Sequence, residues 1–153
     1  MVNIPDDLIR KYAKLLEKQK QFISAEKAQH DFLAYTKSIW LEFIEGRHHK
    51  IMADKFNQIA TGKIKRLIVN MPPRHTKSEF ASYLLPSWLM GKNPKLKIIQ
   101  ATHTGELAVR FGRKVRNLMA KEDYKRIFPN AKLRPDSLAA GRGDTDKGGD
   151  YFA

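Results

Sequence analysis

Lys77 and Ser78 stand side by side where a short apolar run, Leu67-Ile-Val-Asn, has passed through Met71-Pro-Pro-Arg-His-Thr and a helical pattern begins. That order suits nucleotide chemistry. Exposed N–H groups at a helix start accept phosphate oxygens. A neighbouring lysine neutralises β- and γ-phosphate charge, and the hydroxyl after it ligates Mg²⁺. The residues fit the general phosphate-loop pattern G-x-x-x-x-G-K-[ST] only in part, because Met71 and Thr76 stand where that pattern has glycine. The competing reading is that Pro72-Pro73 simply makes a rigid turn between strand and helix.

Other residue types invite chemistry with less force. His48, His49 and Lys50 suggest a metal, but adjacent histidines point to different helix faces and chelate poorly. The simpler reading is a helix start packed on the core. His75 either contacts phosphate or fills space in the loop. Thr102, His103 and Thr104 follow an apolar run at the end where open α/β sheets place ligands. They serve sensing or coupling, or Thr104 simply caps the next helix. Arg110, Arg113, Lys114 and Arg116 make a basic helix face, either solvated or offering an arginine finger to a neighbouring subunit. Asp144, Asp146 and Asp150 match no calcium-loop spacing, and the glycines among them suggest a turn.

These residues need elements to position them. Residues 5–62 read as helical. Pro5 before Asp6-Asp7 suits a first turn, and Leu8, Tyr12, Leu15 and Leu16 form a stripe at helical spacing. Ser24 is expected to cap a second helix carrying Phe32, Leu33, Ile39, Trp40, Phe43 and Ile44, ending near Gly46. A third carries Ile51, Phe56 and Ile59 and stops at Gly62. Beyond it, Leu67-Ile-Val-Asn and Leu96-Lys-Ile-Ile-Gln-Ala are short and rich in β-branched residues, as buried strands of a mostly parallel sheet would be. Ser78 to Met90 is helix-like, with Pro86 forcing a kink or a split and Gly91 and Pro94 closing it. Thr104 caps a long amphipathic helix through Leu107, Phe111, Val115, Leu118 and Met119. The tail from Ser137 to Ala153, rich in Gly and Asp, forms a hairpin or an irregular loop. Strand, loop, helix, strand, helix is the order of an α/β nucleotide-binding fold.

The bulk numbers agree. At 153 residues the chain fits one ordinary domain, and 42% hydrophobic content with 10% aromatic residues argues against general disorder. Lys and Arg number 29 against 16 acids, a net charge of +13 that favours polyanionic partners or else only solubilises the surface. With no cysteine, disulfides and thiolate metal sites are excluded. The N-terminus is not that of a signal peptide, and no apolar run approaches the roughly 18 residues of a membrane span. A soluble, intracellular protein is the expectation.

Met71-Pro-Pro-Arg-His-Thr-Lys-Ser-Glu-Phe resembles the deviant Walker A motif of bacteriophage terminase large subunits, where Pro-Pro-Arg-His-(Gly or Thr)-Lys-Ser is usual. Further segments resemble that family in the same order, over roughly residues 25–153. They include Trp40-Leu-Glu-Phe-Ile-Glu-Gly-Arg-His-His-Lys, Gly62-Lys-Ile-Lys-Arg-Leu-Ile-Val-Asn, Pro86-Ser-Trp-Leu-Met-Gly-Lys-Asn-Pro, Thr102-His-Thr-Gly-Glu-Leu-Ala, Phe111-Gly-Arg-Lys-Val-Arg, Ile127-Phe-Pro, Asp136-Ser-Leu-Ala-Ala-Gly-Arg and Gly148-Gly-Asp-Tyr-Phe-Ala.

The resemblance implies a P-loop NTPase fold, a mostly parallel sheet flanked by helices. It would be incomplete here, with a helical region at 1–62 and a partial ATPase core at 63–153 that stops before Walker B. It implies ATP and Mg²⁺ as cofactors. Pro73, Arg74, His75, Thr76, Lys77 and Ser78 would hold the nucleotide, with Ser78 on Mg²⁺ through its hydroxyl and Arg74 and Lys77 acting in catalysis. Arg74 would couple the γ-phosphate state to movement, a role suited to a planar, permanently charged guanidinium. His48, His49 and Lys50 would lie near the nucleotide base. The implied partners are double-stranded DNA, a portal protein, a small terminase subunit and further copies in a ring, in the cytoplasm of an infected bacterial host.

The chain departs from the family in two places. Gly143 stands where relatives commonly have tryptophan after Gly-Arg, which removes a large apolar anchor from the tail. No run of four apolar residues ends in Asp-Asp or Asp-Glu, so the carboxylates that anchor Mg²⁺ and position the attacking water are not in this sequence. The nuclease domain of the family is likewise missing. A catalytically incomplete nucleotide- or DNA-binding fragment is therefore the alternative. A helicase core is a third reading, but it requires later motifs that this sequence does not contain.

Overall fold

The computed structural model describes residues 6–135 and 142–153. It begins with α1 (Asp6–His30), followed after Asp31 alone by α2 (Phe32–Ile39) and then by α3 (Arg47–Ala60). Ser24 lies inside α1, and the cap of α2 is Asp31. The extended backbone of Asp31 lets its Oδ1 accept the Ala34 N–H at 2.7 Å. Its other oxygen accepts from Asn57 Nδ2 at 2.9 Å, and Asn57 Oδ1 accepts the Phe32 N–H at 2.9 Å. An asparagine of α3 thus completes the cap of α2. Trp40–Glu45, expected to be helical, instead forms a turn and a loop, pinned where Glu45 pairs with Lys37 and Lys50.

α3 ends as its glycine requires. Gly62 takes φ +73°, the Lys63 N–H bonds Gln58 O, and the Gly62 N–H bonds Ile59 O, both at 2.9 Å. This double closure satisfies two carbonyls of the last turn.

The chain after the loop at 71–76 runs helically to Lys92, but its first turns are wide. Glu79–Leu84 is π-helical and Leu85–Lys92, here α4, is α-helical. Pro86 is the cause. It has no N–H for the Ser82 carbonyl and its ring would strike that carbonyl in a regular α-turn. Widening resolves the clash, and the Leu85 N–H reaches Phe80 O instead. The helix neither splits nor stops.

β1 (Lys97–Ile99) leads through Thr104 into α5 (Gly105–Ala120) and α6 (Glu122–Ile127), and then to β2 (Arg142–Asp144) and β3 (Asp150–Phe152). Thr104 caps α5 as expected, its Oγ1 accepting the Leu107 N–H at 3.3 Å. The sheet has the order β1-β3-β2. β1 pairs parallel with β3, with Ile98 beside Tyr151, and β2 pairs antiparallel with β3, with Gly143 beside Tyr151.

The fold class is therefore α/β, but the sheet is small and mixed rather than mostly parallel. The expected strand at Leu67–Asn70 is corrected as well. Leu67 and Val69 are half-buried while Ile68 and Asn70 are exposed, so the segment alternates like a strand. Among the described residues, however, it joins no strand. The tail forms a hairpin from Arg142 onward. Residues 137–141 of the expected tail lie outside the described residues. Where Gly143 offers no anchor, Tyr151 supplies one: its ring is buried and its hydroxyl donates to Gln100 Oε1 at 2.7 Å.

The core is mainly aromatic. Phe32 sits against Phe56, Phe80 and Trp88 at centroid distances of 5.1, 5.4 and 5.5 Å, all near edge-to-face. Polar atoms inside it are matched: Trp88 Nε1–H donates to Ala28 O at 2.9 Å, and Tyr124 Oη donates to Ser87 O at 2.8 Å. Ser87 Oγ donates to Leu84 O and accepts from Tyr35 Oη at 2.7 Å. These bonds tie α1, α2, α4 and α6 into one body and fix the helix that leaves the loop. Among the described residues, no helix is long and apolar enough to cross a membrane.

Candidate functional site, a loop at a helix start

The loop Met71–Thr76 joins an extended segment to a helix, and its backbone is unusual. Arg74 has φ +63° and Thr76 has φ +59°, and these are the only non-glycine residues with positive φ among the described residues. A left-handed conformation strains an L-residue, by about 1–3 kcal/mol, and most of all a β-branched one. Thr76 occupies the place where the general pattern has glycine, and it takes the backbone conformation glycine is used for. A threonine thus takes, at this one position, a backbone conformation that favours glycine.

Three hydrogen bonds hold Thr76. Its Oγ1–H donates to His75 O at 2.7 Å, its carbonyl accepts the Phe80 N–H at 2.9 Å, and its Oγ1 accepts from His49 Nε2 at 2.6 Å. The donor roles are settled by the far side of the imidazole. His49 Nδ1 accepts the Gly46 N–H at 2.9 Å, so the ring proton sits on Nε2. The neutral state fits the surroundings. Burial lowers the pKa of His49 from its usual 6.5, His48 lowers it further, Glu45 opposes, and His75 adds a smaller lowering. The rings of Phe43 and Phe80 lie 4.7 and 5.0 Å from the His49 ring.

Lys77 folds back across the loop, its Nζ donating to Met71 O at 3.2 Å. Its ammonium therefore sits at the crossover from extended segment to helix. Phe80 makes the first helical N–H bond, so the amides of Lys77, Ser78 and Glu79 precede the intrahelical ladder. Pro73, Arg74, His75 and Ser78 are exposed beside them. His75 Nδ1–H turns inward to Pro73 O at 2.8 Å and so stiffens the loop.

Glu79 in the first turn is held by Lys114 of α5, at 2.7 and 2.9 Å to its two oxygens. Lys114 thus has a structural partner within the expected basic face, and it also lies 4.9 Å from the Tyr83 ring. Arg110 and Arg113 are exposed on the same helix.

The structure brings His48 and His49 to the loop, with the His48 ring 3.8 Å from that of His49 and 5.7 Å from that of His75. Thr102 and Thr104 form a local turn, Thr102 Oγ1 donating to Thr104 O at 2.7 Å. Asp144 and Asp150 face each other in the hairpin, with Arg142 Nε 2.9 Å from the first and 3.5 Å from the second. A hydrogen bond to Asp144, followed by burial, raises the Asp150 pKa. Arg142 thus bridges the two carboxylates across the hairpin. Among the described residues no group of three or more His, Asp or Glu side chains is arranged to hold a metal ion. Comparison with known proteins finds no matching family model, curated protein or solved structure.

The arrangement can cradle an anion. It offers the leading amides of Lys77, Ser78 and Glu79, the Lys77 ammonium tied across the loop, and the exposed side chains of Arg74 and Ser78. The sequence pointed to a loop followed by a helix at this place but gave no sign of the His49–Thr76 bond. No local pattern signals a contact between residues 27 positions apart.

Proposed function

We propose that this chain is the ATP-binding portion of a terminase-like motor that drives DNA into a viral procapsid, with a P-loop NTPase core behind a helical leading region. The observation that carries the reading is the loop at residues 71–78. Thr76 has a glycine-like backbone, Lys77 spans the loop, and a helix starts directly behind them. The ordered resemblance along residues 25–153 gives it further support.

In this reading the leading amides and Lys77 take the β- and γ-phosphates, while Arg74 reaches the γ-phosphate with a guanidinium suited to two-point contact. Pro73, His75 and Thr76 shape the cradle. Ser78 offers one hydroxyl to Mg²⁺, which fits an ion that takes its remaining ligands from phosphate oxygens and water. When bound, that ion neutralises phosphate charge. Double-stranded DNA, a portal protein, a small terminase subunit and a ring of like subunits are the proposed partners, in the host cytoplasm.

A fluorescent ATP analogue with Mg²⁺ tests the site. Lys77→Ala is expected to weaken binding by about tenfold or more, the scale of one lost charge-assisted contact. Equal affinity in both proteins overturns the proposal. The net charge of +13 favours one second reading, a nucleotide- or DNA-binding fragment without turnover. Salt-sensitive DNA binding that ignores Lys77, with no nucleotide affinity, is its signature.

A further inference from the structure

Thr76 poses a physical problem that the loop alone does not solve. A β-branched residue at φ +59° is disfavoured, and a loop able to relax from it would lose the direction of the amides that follow. The bond from Thr76 Oγ1 to His75 O joins adjacent residues and moves with the loop. Among the described residues, His49 is the one that ties the Thr76 side chain to a distant part of the fold.

His49 is well fixed for that task. It is 5% exposed, lies near the start of α3, and has its ring against Phe43 and Phe80 and its Nδ1 bonded to the Gly46 N–H. Phe80 is shared by both parts, since its ring meets His49 while its N–H bonds Thr76 O. The imidazole therefore projects its Nε2–H from a rigid base toward one oxygen of the loop.

We propose that His49 is a positioning residue for the phosphate loop: through Thr76 Oγ1 it holds the left-handed backbone that a glycine would adopt unaided. The His49–Thr76 pair substitutes for that glycine. This deepens the phosphate-loop reading and, for its effect on nucleotide, rests on it. His49 itself touches no ligand in this scheme. It also explains why threonine is tolerated here, since its hydroxyl is the handle by which the fold grips the loop.

The proposal requires the effect of His49 to pass through residue 76. His49→Phe keeps a ring between Phe43 and Phe80 while deleting the bond, and Thr76→Val deletes the same bond from the loop side, together with the local bond to His75 O, without disturbing the core. Each is expected to weaken Mg²⁺–ATP-analogue binding about tenfold, the scale of losing the half-buried His49–Thr76 hydrogen bond. In the Thr76→Gly background, His49→Phe is expected to change affinity less than about twofold, because glycine needs no clamp. An equal loss in both backgrounds overturns the proposal, as does a Thr76→Val protein that binds like the parent.

Backbone amide exchange at residues 74–79 supplies a readout that needs no nucleotide. His49→Phe and Thr76→Val should each speed exchange there about tenfold while leaving α5 unchanged. Unchanged exchange in Thr76→Val sinks the clamp even if His49→Phe fails to fold. If the parent protein binds no nucleotide, the functional reading fails while the exchange data still decide the role of His49.

Discussion

His49 makes the loop sensitive to acid in a definite direction. Its folded pKa lies below 6.5, through burial first and then through His48, with Glu45 opposing and His75 adding a smaller lowering. Between the folded and unfolded values the unfolded chain holds more protons, so stability rises with pH across that window. The contribution is complete above about 6.5 and fades as pH falls toward the folded value. Protonation at Nδ1 also removes the acceptor for the Gly46 N–H. Urea midpoints should therefore drop between pH 7.5 and pH 5, and His49→Phe should flatten that dependence. Glu45 does not confuse the measurement. Lys37 and then Lys50 hold its carboxylate down to about 2, so it stays ionised throughout.

At the scale of elements, Asp31 controls the bend between α1 and α2. Its carboxylate caps α2 and receives Asn57 from α3, so Asp31→Ala removes one cap and leaves an amide without its partner. A loss of about 1–2 kcal/mol in denaturant unfolding is expected, and Asn57→Ala should be strongly non-additive with it. The same site shows where sequence reading ended. Ser24 and Asp31 are both good caps. What selects Asp31 is Asn57 on another helix, which no local pattern reveals. Features decided within a few residues were legible: Thr104 before α5, Gly62 after α3, and the distortion imposed by Pro86. The π form of that distortion was not, because it depends on how the surrounding core accepts a wider turn. Leu67–Asn70 has a strand's alternation, but a strand also needs a neighbour to bond. That a loop hands over to a helix at Lys77 was legible from the order of the residues there. The left-handed state of Thr76 and its tie to His49 depend on how α3 packs, and were hidden for that reason.

Across the whole molecule, burial is uneven. The aromatic centre around Phe32 and Trp88 anchors the helices on one side of the loop, while Ile68, Ile99 and Phe152 are 86%, 83% and 59% exposed on the extended segments. At the other end of the chain, α1 leaves every side chain from Leu8 to Ser24 exposed, and burial begins at Ala25. Leu8, Ile9, Tyr12, Leu15, Leu16, Phe22 and Ile23 are all open to water, so the first turns of α1 rely on their own backbone bonds. An isolated helix of that length is marginal in water. Arg10, Lys11, Lys14, Lys18 and Lys20 lie along this stretch, each a cleavage point for trypsin. Brief digestion should nick the chain there long before it reaches Lys92 or Lys114, which are tied down by Gln29 O and Glu79. The surviving fragment should start near Gln21 and still carry the loop, the clamp and the aromatic centre. A first cut after Lys114 instead would mean that the stable part of this protein lies elsewhere.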